Sequence, residues 1–111
     1  METKINYLSG SFKDRKSAER AYNRLKEKGY TDKEIDIMMS DATHAKFFKK
    51  NEDEGLGSKI KEGAEMPKDR VKKHEKNISE GNIVMGVKLR SRADHSIIGH
   101  DWTMFDASDV Y

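Results

Sequence analysis

The 111-residue chain contains no cysteine, which excludes disulfides and thiolate metal sites and fits a reducing cytoplasm. Long apolar runs are missing as well. No stretch approaches the roughly eighteen apolar residues that a bilayer span requires. Met1-Glu2-Thr3-Lys4 leads straight into a strand pattern without an apolar signal region, so the chain reads as soluble. Apolar residues amount to only 34% against 38% charged, a lean supply for a core, and part of the chain, the middle above all, is expected to be solvated.

What is present fits one domain spanning 1–111, a length that could bury roughly two-thirds of its unfolded surface. Charge comes in blocks. Residues 13–30 and 66–90 are each net +4, whereas 31–65 and 91–111 are each net −3, so basic and acidic surfaces should alternate along the chain.

Alternation from Asn6 to Phe12 predicts a strand, with Leu8, Gly10 and Phe12 on one face and Tyr7, Ser9 and Ser11 on the other,. Asp14 or Ser17 then caps a helix whose Ala18, Ala21, Tyr22 and Leu25 fall at i, i+3, i+4 and i+7, closed by Gly29,. Ile35, Ile37 and Met39 mark a second strand, and Asp41–Lys50 a short helix presenting Phe47 and Phe48,. Residues 51–66 carry glycine and acid without periodicity and read as a flexible connection. Pro67 suits a first helical turn, with Val71, His74 or Glu75, and Ile78 as a weak stripe on a largely solvated helix ending at Gly81,. The β-branched run Ile83–Leu89 is the most apolar segment and predicts a central strand,. Ser91 caps a last helix with Ala93, Ile97, Ile98 and Trp102 on its apolar face, and Asp109-Val110-Tyr111 is expected to return as a short strand,.

The two ends repeat one plan. Phe12, Arg15, Ala18, Glu19 and Tyr22 are echoed at constant offset by Val87, Arg90, Ala93, Asp94 and Ile97. Two such β-α units predict an α+β ferredoxin-like sandwich: a four-stranded antiparallel sheet of order 4-1-3-2, helices on one face, and an extra helical segment between strands 2 and 3. In that arrangement Gly10 and Gly86 lie side by side and leave a shallow trough, filled by helix side chains or open as a groove.

Ser9–Ala21, Gly29-Tyr30-Thr31, Ile35–Ser40, Gly81–Val87 and Asp109-Val110-Tyr111 resemble the YflT-like general stress proteins, a small bacterial family also called heat-induced stress protein. Family members often carry a long Gly/Ala-rich apolar insert between the halves. Here only Gly55-Leu56-Gly57-Ser58 through Glu62-Gly63-Ala64 stands in that place, so no membrane role is expected of this short form. The resemblance implies a stress-associated cytoplasmic protein and supplies no substrate.

No constellation for chemistry emerges. His95 and His100 are five apart and diverge on a helix, unlike the i, i+4 pair of zinc enzymes, so His44, His74, His95 and His100 read as surface residues and no metal or cofactor is expected,. Ser91, Asp94 and His95 belong to a helix cap, and Glu52-Asp53-Glu54 lacks calcium-loop spacing; no enzyme is expected,. Lys68, Arg70, Lys72, Lys73 and Lys76 crowd one helix and could meet phosphates,. Base stacking on an RNA-recognition-like sheet needs aromatic rings on both central strands, however, and only Tyr7 qualifies,. Tyr7, Gly10, Gly86, Phe47 and Phe48 are candidates for a sheet trough or an interface; the two phenylalanines either contact a partner or cover the open sheet face. The expectation is a non-enzymatic interaction module that self-associates as a homodimer through an edge strand or the sheet face, with small-ligand or nucleic-acid binding through the sheet face and helix 67–79 as the alternative.

Overall fold

The computed structural model describes residues 7–47 and 66–110. In chain order the elements are β1 (Tyr7–Phe12), α1 (Arg15–Glu27), a 3-10 turn (Asp32–Glu34), β2 (Ile35–Met38), α2 (Asp41–Phe47), α3 (Lys68–Lys73), α4 (Glu75–Ser79), β3 (Ile83–Lys88) and α5 (Arg92–Met104). The strands form an antiparallel sheet in the order β1-β3-β2. The most apolar strand is therefore central, paired on both sides.

Period-two alternation sorts the strand residues between two faces. Leu8, Phe12, Ile35, Ile37, Ile83, Met85 and Val87 point to the first, where Ala18, Ala21, Tyr22 and Leu25 of α1 and Ile98 and Trp102 of α5 cover them. Trp102 meets Phe12 edge to face, with ring centroids 5.6 Å apart, and a Cβ on Gly10 would come within 3.1 Å of the Trp102 ring. The indole thus occupies the hollow that Gly10 leaves.

Helix ends follow sequence signals closely. Asp14 Oδ1 accepts from the Ser17 amide at 2.8 Å, and Ser91 Oγ from the Asp94 amide at 3.3 Å, satisfying amides that lack intrahelical partners. α1, α4 and α5 each end in the paired bonds of a Schellman motif, with Gly29, Gly81 and Asp106 at positive φ of 93°, 92° and 68°,.

Four expectations need correction. Asp109-Val110-Tyr111 forms no strand among the described residues; a single bridge, Ser11 to Ser108, lies along the outer edge of β1. Asp106 and Asp109 adopt positive φ on either side of it, which an extended ladder does not allow,, and Tyr111 lies outside the described residues. Gly10 and Gly86 do not face each other: Gly10 pairs with Met85 and Gly86 with Ser9, so they open to opposite faces and no common trough exists. Helices cover both faces, because α3 and α4 carry Val71 and Ile78 onto Tyr7 and Val84 of the second face. Finally, the repeat slips. Two residues separate β1 from α1 and three separate β3 from α5, so the second helix starts out of phase with the first. Ala93 and Ile97, the sequence counterparts of buried Ala18 and Tyr22, turn outward, while Ile98 and Trp102 occupy the buried positions.

Candidate functional site

The second sheet face is polar where a core would ordinarily be apolar. Register places Tyr7, Ser9 and Ser11 of β1, Val84, Gly86 and Lys88 of β3 and Asp36 of β2 on this face. Ser9 and Ser11 are fully buried and Asp36 nearly so. Burying such groups is tolerated only where hydrogen bonds replace water, and the helices above supply several of them.

Tyr7 reaches across β3 to donate its hydroxyl to Asp36 Oδ2 at 2.8 Å. It crosses at Gly86, where any Cβ would overlap the phenol. Burial, reinforced by the Asp36 carboxylate, pushes the Tyr7 phenol far above its ordinary range, so it stays a donor at every accessible pH. Arg70 lies over the Tyr7 ring, 5.4 Å from its centroid, and donates through Nη1 to the Tyr7 carbonyl at 3.2 Å and to Ser9 Oγ at 3.3 Å. A cavity of about 100 Å³ remains beside Tyr7, Pro67, Asp69 and Arg70.

Ser9, His74, Asn77 and Asp109 form a continuous chain. His74 Nε2 is 3.0 Å from Ser9 Oγ, His74 Nδ1 is 3.0 Å from Asn77 Nδ2, and Asn77 Nδ2 donates to Asp109 Oδ2 at 3.0 Å. Superficially this is a serine–histidine–amide relay, but its proton order is reversed. The Asp109 carboxylate can only accept, so it fixes the Asn77 amino group toward itself and toward His74 Nδ1. Nδ1 must then accept and Nε2 must carry the hydrogen, which it donates to Ser9. The imidazole offers no lone pair to Ser9 and cannot act as its base. Both side chains are also fully buried.

A second cluster lies where β3 ends and β2 begins, at the same end of the sheet as Tyr7. Arg90 makes a two-pronged ion pair with Glu34, Nε to Oε2 at 2.9 Å and Nη2 to Oε1 at 2.6 Å, and also donates to the Gly29 carbonyl. Those guanidinium bonds hold the Glu34 carboxyl down at about 2. Arg15, its counterpart in the first half, donates similarly to the Phe47 carbonyl at the end of α2. Between α1 and α5 runs a groove of about 440 Å³, with Arg20, Asn23, Met104 and Phe105 in its lining and the Arg24–Asp101 ion pair beside them.

The residues singled out from sequence are thus divided. Lys68, Lys72, Lys73 and Lys76 are exposed, whereas Arg70 turns inward onto the sheet. Tyr7 is buried, Gly10 lies beneath Trp102 and Gly86 beneath Tyr7. Phe47 packs on the first core and not on the second face; Phe48 and residues 51–65 lie outside the described residues, while Met66 is buried. Among the histidines, His74 is buried and not a surface residue, and no group of three or more metal-ligating side chains occurs among the described residues. Sequence reasoning missed Ser9, Asp36, His74, Asn77 and Asp109 as one network. The available signal was the pair of small hydroxyl residues alternating with Leu8, Gly10 and Phe12.

Compared with protein-family models, curated proteins and solved structures, the chain has no significant match in any of the three. No helix among the described residues is long and apolar enough to cross a membrane.

Proposed function

We propose that this chain is a non-enzymatic interaction module, a stress-associated bacterial protein of the YflT-like kind acting in the cytoplasm, and that it pairs with a second copy through α5. The observation that carries the reading is the outer stripe of that helix. Ala93, Ile97, His100 and Met104 follow a 4-3-4 spacing and are all exposed, Ile97 by 45% and Met104 by 67%. That spacing is the seam of helix-on-helix packing, and exposed apolar side chains in a row mark contact surfaces. The sheet faces are occupied by helices, which favours α5 over the sheet as the contact.

Two further observations support the reading. The relay-like chain on the second face is buried and in the wrong tautomer for nucleophilic chemistry. The order β1-β3-β2, with Ser108 bridged to the outer edge of β1, accords with a ferredoxin-like plan whose fourth strand is reduced to one bridge. Light scattering tests self-association directly. Wild-type protein should approach dimer mass at high concentration, and the exposed pair of substitutions Ile97→Lys and Met104→Lys should return it to monomer without changing its circular dichroism. Monomer mass for the wild type at every concentration would sink the proposal.

The second reading, binding of a polyanion, rests on the four outward lysines Lys68, Lys72, Lys73 and Lys76. It requires phosphate contacts alone, because no aromatic on the sheet is open for stacking among the described residues. Oligonucleotide affinity that is unchanged after Lys72, Lys73 and Lys76 are converted to Gln rules this helix out.

A further inference from the structure

The helices α3 and α4 are held to the second sheet face by few apolar contacts, Met66, Val71 and Ile78 against Tyr7, Val84 and Met38. The remainder of the attachment is polar: Arg70 donates to the Tyr7 carbonyl and Ser9 Oγ, Asn77 to Asp109, and His74, at the joint between the two helices and 0% exposed, meets Ser9. We propose that α3 and α4 are an acid-released cover, with His74 as the group whose protonation lifts them from the sheet.

The contacts of His74 with Ser9 and Asn77 disfavour a protonated imidazole. Nε2–H already donates to Ser9 Oγ, and a proton added at Nδ1 would point at the Asn77 amino group, donor against donor,. Turning the Asn77 amide to offer its oxygen would bring that oxygen against the Asp109 carboxylate, which now accepts from Nδ2. The added charge would also be opposed by Arg70 and Lys73 on the same helices. The C-terminal segment contributes Asp109, a carboxylate that favours the charge. From the sheet, β1 presents Ser9, Ser11 and the Tyr7 phenol, β2 presents Asp36, already engaged by Tyr7, and β3 presents Lys88. Burial of the ring, above all, lowers its affinity for a proton below the ordinary value. An opened cover restores that affinity, so acid favours the open form. Opening bares Tyr7, Val84, Met38 and Asp36, a mixed apolar and acidic face. The release is a property of the single chain and does not depend on pairing through α5.

Hydrogen exchange read by NMR, with rates expressed as protection factors at each pH, tests this on the intact protein. Amides of 68–79 should be less protected than those of α1 and β3 at neutral pH, and should lose up to about tenfold in protection per pH unit below about 6.5. The His74 ring resonances should titrate below the ordinary histidine range,. H74Q should flatten the dependence, while H95Q/H100Q should leave it unchanged. Equal protection in cover and core, no change with pH, or an ordinary titration of His74 would each overturn the proposal. The wild-type comparison decides the matter even if H74Q fails to fold.

Discussion

A tyrosine laid across a β-strand needs that strand to offer nothing at the crossing point, and Gly86 meets the need for Tyr7. A Cβ at residue 86 would overlap the phenol and force it off Asp36, leaving a buried carboxyl without its hydroxyl donor. Gly86→Ala should therefore cost at least about 2 kcal/mol, combining overpacking with a lost buried hydrogen bond. Urea unfolding measures this, and a loss below about 0.5 kcal/mol would mean that Tyr7 has an equally good alternative rotamer. Sequence reading marked Gly10 and Gly86 as special but set them side by side. A glycine announces close approach without saying on which face, and only the strand register decides that.

At the scale of elements, the strands and α1 were legible because their buried positions are apolar at a regular period. α3 and α4 were legible as helix, with Val71, His74 and Ile78 on the inner stripe, but not as a cover on the second sheet face, since much of what they bury there is Arg70, His74 and Asn77, which hydropathy reads as solvent-exposed. α5 was legible as a helix and half of its apolar face was too: Ile98 and Trp102 are buried as the spacing predicts, whereas Ala93 and Ile97, matched to α1 by constant offset, turn outward after one extra residue in the preceding turn. The same helix offers two stabilising substitutions. A Cβ on Gly99 meets only Leu8 Cδ1, at 4.0 Å, so Gly99→Ala should gain about 0.5 to 1 kcal/mol by restricting the unfolded chain. Asp106 closes the helix at φ 68° in a position where α1 and α4 use glycine. Asp106→Gly should add roughly 0.5 kcal/mol, because relief of the left-handed conformation outweighs the greater freedom of the unfolded glycine. Thermal unfolding reads both, and a lowered midpoint for Gly99→Ala would show that Leu8 cannot accommodate the methyl group.

For the whole molecule, stability should fall with acid in two separate windows. His74 binds protons less readily folded than unfolded, so its contribution is complete above about pH 6.5 and declines as the pH drops below that value,. Glu34 follows at lower pH: its ion pair with Arg90 contributes fully above about 4.5 and is lost as the pH falls toward about 2,. Urea midpoints collected from pH 7.5 downward should show both limbs, and Glu34→Gln should remove only the lower one. A single limb below pH 4.5 would show that His74 is not held neutral. The order of the strands has a consequence for synthesis. Among the described residues β1 and β2 make no ladder with each other, and both take their ladder from β3, which begins at Ile83. A growing chain therefore exposes two strands without a template until most of its length has been made, and the sheet can close only by long-range pairing, the slow kind. Unpaired strands invite association with other chains. The small polar run Ser9-Gly10-Ser11 in the middle of β1 makes that waiting strand a poor adhesive.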